Sequence, residues 1–379
     1  MVAAPAFSVA NDFSTALDNL LLETCEELQI SQARYDLAVE RYKRLNRLLE
    51  GSGSPFRQFR PDIYPQGSMA LGTTVQPIKG PHDLDFVLEL SNYLRGPMHL
   101  ITELHEFLRE HGVYGPMASL KNRCVRIEYA DEFYMDVLPA CRNAAAAGTC
   151  IMVPDCALQG WSDSNPRGYI KWFKEQSGKR FVARMMDKAA PIPDQQAVAE
   201  KNALQLMVQL FKRWRDRYYA NVDPKLAPIS IVLTTLAADT YQGEQSVSRA
   251  ITSMLTEIVK LIDVSRRAGE RHLHLSNPSH TAEDLSERWD SNPLAYSAFE
   301  RGIRDFQQQW MQLVTRRGNV NAQLESLFGE TVTAVLRKRT QKIQDSRLAG
   351  KLGVTSAGLI TSSAEAAVRV RPNTFYGEE

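Results

Sequence analysis

The segment from Gly67 to Leu90, GSMALGTTVQPIKGPHDLDFVLEL, decides the fold of this chain. It opens with a Gly-Ser pair and ends in a mostly apolar run, Asp85 to Leu90, that predicts a β-strand. Side chains on a strand alternate between two faces, so Asp83 and Asp85 would project to the same side. Two carboxylates that close repel each other unless a cation joins them. The segment therefore predicts a cation site at the start of a strand.

A third acidic residue, Asp136, lies within a second apolar segment, FYMDVLP at 133–139. Its neighbours Met135 and Val137 are typical strand-core residues, so a carboxylate between them needs a counter-charge. Three carboxylates on neighbouring strands can hold two metal ions about 3.5 to 4 Å apart, which activate a hydroxyl and stabilise a leaving phosphate. The simpler interpretation is that these acids lie at solvated strand ends or pair with Lys or Arg. The order of Gly-Ser, Asp-x-Asp and a later strand Asp favours the metal site.

The Gly67-Ser68 pair is suited to phosphate binding. A turn there would aim backbone N–H groups and the Ser68 hydroxyl at phosphate oxygens, and glycine lets the backbone approach closely. A Gly-Ser pair is common, so it gains meaning only from its place before the acidic residues. The sequence therefore predicts a phosphate-bearing substrate, with Mg2+ as the natural ion for the carboxylate oxygens.

The segments around this motif predict an α+β fold. Residues Phe13 to Glu50 have helical apolar spacing, with a possible break near Ser31 and a stop at Gly51 to Pro55. A mixed sheet with flanking helices is expected from Asp85 to Leu90, Cys124 to Tyr129 and Phe133 to Leu138, with a helix at Met98 to His111. From Gln195 onward we expect helices at Ala197 to Tyr219, Ile229 to Tyr241, Ser248 to Val264, Ala295 to Leu313 and Ala322 to Asp345.

Composition and charge exclude several classes of protein. The chain has 379 residues, 45 Lys and Arg against 44 Asp and Glu, and 44% hydrophobic residues, enough for two compact cores. This balance argues against stable nucleic-acid binding, which depends on Lys and Arg that neutralise phosphates. A basic face remains at Arg337, Lys338, Arg339 and Lys342, most simply a solvated surface. No apolar run approaches the ~20 residues of a membrane span and no signal peptide is evident, so we expect a cytoplasmic protein.

The five cysteines favour a reducing compartment, since their number is odd and none forms a C-x-x-C pair. Cys141, Cys150 and Cys156 are close in the sequence, and His82 could complete a zinc site with them. Zinc sites normally have tighter, paired spacing. We therefore interpret these cysteines as small apolar residues in strands, and a zinc site stays an open alternative.

Several segments together resemble a known family. They are GSMALGTTV (67–75), DLDFVLEL (83–90), YMDVLPA (134–140), GWSDSNPRGYIKWF (160–173), LQLMVQLFKRWRDR (204–217), PISIVL (228–233) and LFGE (327–330). They resemble the polymerase-beta-type nucleotidyltransferases, and within these the cGAS/DncV-like bacterial enzymes (CD-NTases, or SMODS domain) that make cyclic oligonucleotide second messengers. The resemblance covers most of the chain. It implies a nucleotidyltransferase core, a mixed sheet with flanking helices and an N-terminal spine helix, followed by a helical domain.

The resemblance also implies roles for single residues. The donor triphosphate would bind at Gln66, Gly67 and Ser68, and the catalytic acids that hold two Mg2+ or Mn2+ ions would be Asp83, Asp85 and Asp136. A Lys and a Ser of the helical domain would reach the triphosphate as well. Lys212 and Ser230 match these positions best, and Lys201 on the same helix is a rival. The zinc-ribbon cluster of the animal DNA sensor is not evident, which argues against activation by DNA.

The resemblance divides the chain into four predicted regions. These are a spine helix packed on the core (1–54), the nucleotidyltransferase core (55–194), a helical domain that closes the active-site cleft (195–348) and a partly ordered tail (349–379). The tail would be either a docking segment for a regulatory partner or a disordered end.

The implied activity is metal-dependent joining of nucleoside triphosphates, ATP or GTP or both, into a cyclic di- or trinucleotide with release of pyrophosphate. The implied setting is bacterial anti-phage (CBASS) signalling, in which a separate effector protein reads the product. Base choice would depend on pocket side chains such as those around Trp161 to Arg167. Two alternatives stay open: nucleotide transfer to RNA or to a protein, and an inactive nucleotide-binding scaffold. An RNA-adding enzyme would usually need an extended basic groove, and an intact acid triad argues against a scaffold.

Overall fold

The protein is described by a computed structural model that covers residues 6–130, 132–143, 148–178, 194–354, 360–361 and 368–369. The main sheet contains β1 (Asp62–Pro65), β2 (His82–Leu90), β3 (Ala118–Leu120), β4 (Val125–Tyr129), β5 (Phe133–Arg142), β6 (Ile151–Asp155) and β7 (Gly160–Ser164). Later strands are β8 (Ser276–Asn277), β9 (His280–Asp284), β10 (Gly353–Val354), β11 (Ile360–Thr361) and β12 (Val368–Arg369). The helices are α1 (Ala6–Leu28), α2 (Gln32–Glu50), α3 (Gly67–Leu71), α4 (Pro97–Glu110), α5 (Pro166–Gln176), α6 (Ala203–Asn221), α7 (Ser230–Thr240), α8 (Val247–Arg267), α9 (Glu287–Ser291), α10 (Pro293–Val314), α11 (Val320–Phe328) and α12 (Glu330–Leu348). None of the helices in these ranges is long and apolar enough to span a bilayer.

The strand order places the acidic motif at the centre of the sheet. The strands run β1-β2-β5-β4-β3, with β2 and β5 parallel and the other neighbours antiparallel. β6 pairs with the C-terminal end of β5 and with β7. Strand β2 begins at His82, three residues earlier than predicted, so Asp83 belongs to the strand as well as Asp85. Asp85 lies directly opposite Asp136 across the parallel pair.

Two apolar cores stabilise the fold. The first lies between the sheet and helices α2 and α4, where Tyr42 stacks on Phe86 with ring centroids 4.8 Å apart. The second joins α1 to helices α5 to α12, with Trp214 stacked on Phe306 at 4.7 Å near its centre. We call the part built on the first core the sheet wall and the part built on the second the helical wall.

The N-terminal helix breaks where the two walls meet. α1 ends at Leu28 and α2 begins at Gln32, with the Ser31 side chain as its cap, which confirms the break expected near Ser31. α1 packs in the helical wall and α2 in the sheet wall. Three hydrogen bonds hold the break: Gln76 N to Leu28 O (2.7 Å), Gln76 Nε2 to Gln29 O (2.6 Å) and Gln195 Nε2 to Ile30 O (2.8 Å).

Some predicted elements differ from the structure. The helix expected at Ala197 to Tyr219 begins at Ala203, because the Asn202 side chain caps it there. The single helix expected at Ala322 to Asp345 is wrong, since Gly329 has a φ of 73° and separates α11 from α12. Glycine adopts this left-handed conformation without steric cost, and it ends a helix. Strands β6 to β9 were not expected, and β7 to β9 are largely polar.

The predicted division at residues 54, 194 and 348 stays a prediction. Most of the predicted tail, 349–379, lies outside the described residues, and so does 179–193 near the second boundary. Within the described part of the tail, β10 pairs with both β11 and β12 in a small antiparallel sheet.

Candidate active site

A cleft of about 700 Å³ lies between the sheet wall and the helical wall. The sheet contributes the start of β2 and the middle of β5, α3 covers one end, and α6 and α7 come from the helical wall. The residues that best match a predicted binding or catalytic role all line this cleft: Gln66, Gly67, Ser68, Asp83, Asp85, Asp136, Lys212 and Ser230. The fold therefore brings together residues that are more than 160 positions apart in the chain.

The Gly67-Ser68 pair forms the N-terminus of the short helix α3 and lies against β2. Gly67 has a left-handed φ of 57°, and a Cβ placed there would lie 2.7 Å from Asp85 Oδ2. The backbone N–H of Gln66 donates to the Asp85 carbonyl oxygen at 2.8 Å and fixes the turn to the strand. The Ser68 hydroxyl accepts a hydrogen bond from the Thr74 hydroxyl at 3.2 Å. Glycine at position 67 therefore permits the close approach of the turn to the acidic strand.

The three aspartates share one face of the two central strands. Asp85 is directly opposite Asp136, and Asp83 lies two residues before Asp85. Burial raises the pKa of Asp85 to about 7; the charges of Asp136 and Asp83 add to this rise, and those of Lys212 and Arg126 oppose it. Burial also raises the pKa of Asp83. Carboxylates gathered in this way are stabilised by a cation.

Arg126 of β4 supplies such a cation and is a site residue that sequence reasoning missed. Its guanidinium donates to Asp136 twice, from Nε to Oδ1 and from Nη2 to Oδ2, both at 2.7 Å. Nη2 also donates to Asp83 Oδ1 at 3.1 Å. The guanidinium lies over the Tyr134 ring, 4.5 Å from its centroid. Its hydrogen bonds to Asp136 raise the pKa of Arg126 further above its ordinary value.

The chemistry of the donor set fits a divalent cation. The donors of Asp83, Asp85 and Asp136 are all oxygen atoms, which Mg2+ prefers, and the Asp85 carboxylate has a raised pKa. Within the part of the chain that the structure describes, no three or more His, Cys, Asp or Glu side chains are gathered as a finished metal site. Arg126 already binds two of the three carboxylates, so a cation held by all three would have to replace it.

The helical wall brings further cationic groups to the cleft. The Lys212 ammonium is buried and donates to the Thr73 carbonyl oxygen at 3.2 Å and to the Thr73 hydroxyl at 3.1 Å. Burial lowers the pKa of Lys212 to about 7. Ser230 begins α7, and its hydroxyl accepts a hydrogen bond from Arg215 Nη1 at 2.9 Å. Arg215 lines the cleft and was not predicted, whereas Lys201 lines a separate pocket of about 30 Å³.

The far side of the cleft is polar. Ser162, Asp163 and Ser164, which belong to the segment expected to select the base, line it. The hairpin of β8 and β9 lies beside them, where Glu283 accepts hydrogen bonds from Asn277 Nδ2 at 2.7 Å and from Ser164 Oγ at 3.2 Å. This side of the cleft can therefore donate hydrogen bonds to a ligand and accept hydrogen bonds from it.

The three neighbouring cysteines lie in different surroundings. Cys141 Sγ contacts the backbone of Tyr93, Cys156 Sγ contacts that of Lys121, and Cys150 Sγ lies 3.8 Å from His280 Nδ1. His82 packs beside Phe133, and burial lowers its pKa to about 4. These contacts give the alternative of a shared zinc site no support.

Two residues of the basic face form ion pairs inside the molecule. Arg339 donates to Glu23 from Nε at 2.6 Å and from Nη2 at 3.1 Å. Lys338 binds Glu27, one turn further along α1. These pairs join α12 to α1, so part of the basic face contributes to the packing of the helical wall.

Comparison with known proteins shows which family this chain is similar to. Residues 15–177 match the family model described as the Second Messenger Oligonucleotide or Dinucleotide Synthetase domain, abbreviated SMODS. This part of the chain is similar to the SMODS domain. The match includes the segments from 67 to 173 and confirms their resemblance to this family.

Two relatives extend the similarity beyond the SMODS domain. A c-di-GMP synthase of Roseivirga ehrenbergii is 29% identical over 380 residues, which cover 98% of this chain and 100% of the relative. The cyclic dinucleotide synthase CdnG of Bradyrhizobium diazoefficiens is 26% identical over 393 residues, which cover 94% of this chain and 91% of CdnG. The family and these relatives confirm the expected enzyme class, a nucleotidyltransferase of the cyclic oligonucleotide synthase kind.

Solved structures confirm the predicted fold. The CD-NTase CdnG of Bradyrhizobium diazoefficiens in complex with GTP matches with a TM-score of 0.70 at 23% identity, over 86% of this chain and 99% of that one. CdnC of Escherichia coli with ATP matches with a TM-score of 0.62 at 13% identity, over 83% of this chain and 98% of that one. The α+β architecture is thus that of the CD-NTases.

Proposed function

We propose that this protein joins nucleoside triphosphates, GTP among them, into a cyclic dinucleotide and releases pyrophosphate. The observation that carries this proposal is the contact of the Gly67-Ser68 turn with Asp85, which places a phosphate-binding turn against the pair Asp85 and Asp136. The names of the relatives, a c-di-GMP synthase and a cyclic dinucleotide synthase, support this product. The GTP in the structure of CdnG supports the substrate.

In this proposal the donor triphosphate binds along the turn at Gly67 and Ser68. Gln66 holds the turn to β2, and Ser230 faces the triphosphate from α7 with Arg215 bound to its hydroxyl. Lys212 stabilises the segment that follows the turn, because its buried ammonium donates hydrogen bonds to Thr73. These contacts fix the phosphates before reaction, and catalysis is then mostly positioning and charge stabilisation.

Asp83, Asp85 and Asp136 are proposed to hold two divalent cations, Mg2+ or Mn2+. Such ions, when bound, favour ionisation of an attacking hydroxyl and neutralise charge on the leaving pyrophosphate. Asp136 marks the acceptor side of the cleft, where the ribose hydroxyl of the second nucleotide would lie. The linear product keeps its own triphosphate, so a second reaction in the same cleft would close the ring.

The test is incubation of the protein with all four nucleoside triphosphates and Mg2+ or Mn2+, then phosphatase treatment and mass spectrometry. We expect a phosphatase-resistant cyclic dinucleotide, which Asp83→Ala and Asp136→Ala abolish. Asp62→Ala is a matched control, because Asp62 pairs with Arg167 at 2.6 Å on the same sheet, opposite the far end of β2. Full activity in either triad variant would contradict the site, and labelled RNA or protein in place of a cyclic product would favour the alternative transferases.

The biological setting is part of the same proposal. A cyclic product has to be read by a separate effector, and anti-phage (CBASS) signalling in the cytoplasm is the setting that the family resemblance implies. A regulatory partner at 349–379 is proposed on the same ground. Co-expression with the neighbouring genes during phage infection, with and without Asp136→Ala, tests it, and equal survival of the two cultures would contradict it.

A further inference from the structure

Arg126 binds two of the three aspartates to which the proposed function assigns metal ions. Its guanidinium makes three hydrogen bonds to two of the three aspartates, at 2.7, 2.7 and 3.1 Å. A bidentate pair of this kind is among the stronger hydrogen-bonded contacts in proteins, because both partners are charged and the two planes match. The aspartates therefore already have a counter-ion supplied by the chain itself.

The sheet fixes this counter-ion in place. Arg126 and Asp136 are directly opposite each other in the antiparallel pair of β4 and β5. The guanidinium is supported by the Tyr134 ring, and only 24% of the Arg126 side chain is exposed. An arginine on a flexible loop would leave at little cost, whereas this one has lost its freedom on folding and binds without further loss of entropy.

A divalent cation and Arg126 compete for the same oxygen atoms. Asp136 offers two carboxylate oxygens, and Arg126 binds both. Mg2+ usually binds one or two carboxylates together with substrate phosphates, so the ion alone brings few of its ligands to this site. An ion that arrives with a triphosphate brings oxygen ligands and negative charge of its own, and it competes better.

We propose that Arg126 is an internal counter-ion that keeps Asp83 and Asp136 closed to free divalent ions, so that tight metal binding requires a nucleoside triphosphate. This inference rests on the metal role of the aspartates in the proposed function. It adds a condition to that role: Arg126 stays paired with Asp83 and Asp136, and the cleft binds divalent ions weakly, until substrate is present.

The experiment is a titration of the nucleotide-free protein with Mn2+, in which electron paramagnetic resonance reports the free ion. We expect Arg126→Gln to bind Mn2+ about tenfold more tightly than the wild type, the size of one charge-assisted hydrogen bond. Arg126→Lys keeps a charge without the bidentate geometry and should give an intermediate affinity. With a non-hydrolysable GTP analogue present, the difference between Arg126→Gln and the wild type should shrink. Equal or weaker Mn2+ binding by Arg126→Gln would overturn the proposal.

Arg123→Gln is the matched control for charge. Arg123 lines the same cleft, but it pairs with Asp155 at 2.6 Å and with Glu287 at 3.3 Å and touches none of the three aspartates. Arg123 lines the cleft and Arg126 binds aspartates that line it, so both variants remove one positive charge close to the aspartates. An equal gain in Mn2+ affinity would show that the effect depends only on net charge, and it would overturn the proposal. Adding Asp136→Asn should abolish the gain, since the ion measured would then have lost its ligand.

Two further measurements keep the result interpretable. If Arg126→Gln does not fold, as thermal unfolding would reveal, Tyr134→Leu removes only the support of the guanidinium, and it should raise Mn2+ affinity in the same direction. Product formation by the wild type tests the proposed function separately. A wild type that makes cyclic product, with no gain of affinity in any Arg126 or Tyr134 variant, would overturn this inference and leave the proposed function standing.

Discussion

Gly67→Ala is the sharpest test of how the phosphate-binding turn and the acidic strand fit together. An added Cβ would lie 2.7 Å from Asp85 Oδ2, while the backbone there has a left-handed φ of 57°. Gly80→Ala is a matched control, because Gly80 also has a positive φ, of 78°, and a Cβ there would meet nothing within 4 Å. The two variants share the backbone strain, and only the first disturbs the carboxylate.

The magnitudes follow from this geometry. An alanine in the left-handed conformation costs roughly 1 to 2 kcal/mol, so both variants should lose about that much free energy of unfolding. In Gly67→Ala the carboxylate must also move from 2.7 Å to at least the 3.4 Å of an ordinary contact, a shift of 0.7 Å. Misplacement by about 1 Å costs on the order of 100-fold in rate, so we expect kcat/KM to fall roughly 30- to 100-fold in Gly67→Ala alone.

Two assays measure this prediction. Urea unfolding gives the stability of both variants, and pyrophosphate release with GTP and Mn2+ gives kcat/KM. A misplaced carboxylate should lower kcat/KM far more than about threefold. If the kcat/KM of Gly67→Ala stays within about threefold of that of Gly80→Ala, the close contact with Asp85 has no catalytic consequence and the reasoning fails.

Two other predictions concern stability. The pKa of Asp85 is raised by burial to about 7, so the folded protein holds a proton that the unfolded chain releases, and stability falls as pH rises from about 4 to 7. Without divalent ions, Asp85→Asn should therefore be more stable than the wild type by about 2 to 4 kcal/mol at pH 8 and similar to it near pH 4 in urea unfolding; an equal difference at both pH values would contradict this. The pair of Arg339 and Glu23 is about one third exposed on each side, so Arg339→Gln should cost no more than about 1 kcal/mol, and less in 1 M salt. A larger loss that Glu23→Gln does not share would show that Arg339 acts otherwise.

The triad could be predicted from the sequence because its signals are local. Asp83 and Asp85 are two positions apart at the start of a strand, and Asp136 interrupts an apolar strand, so each is conspicuous within a few residues. The meaning of Arg126 is not local. It depends on the register that sets Arg126 opposite Asp136, and before that register is known Arg126 is one of 45 basic residues.

The elements that were missed have weak periodic signals. The strands of the β8–β9 hairpin contain few apolar residues, so no alternation marks them, and the hairpin is held by contacts such as Asn277 to Glu283. The break at Gly329 was hidden because apolar residues continue at helical spacing on both sides of it. A single glycine inside such a pattern is compatible with a continuous helix, and only the observed φ distinguishes the two.

The break in the N-terminal helix ties the two sides of the cleft together. α1 belongs to the helical wall and α2 to the sheet wall. A change in the width of the cleft would therefore move α1 relative to α2 and change the conformation of the three residues between them. The side-chain amides of Gln76 and Gln195 donate hydrogen bonds to backbone carbonyl groups of those residues. The Gln76 carbonyl oxygen also accepts a hydrogen bond from Arg213 of α6 at 2.7 Å. The spacing of the walls therefore depends on a linkage whose residue Gln76 lies between Val75 and Pro77 of the cleft lining. A substitution of Gln76 or Gln195 would alter substrate access and leave the three aspartates in place.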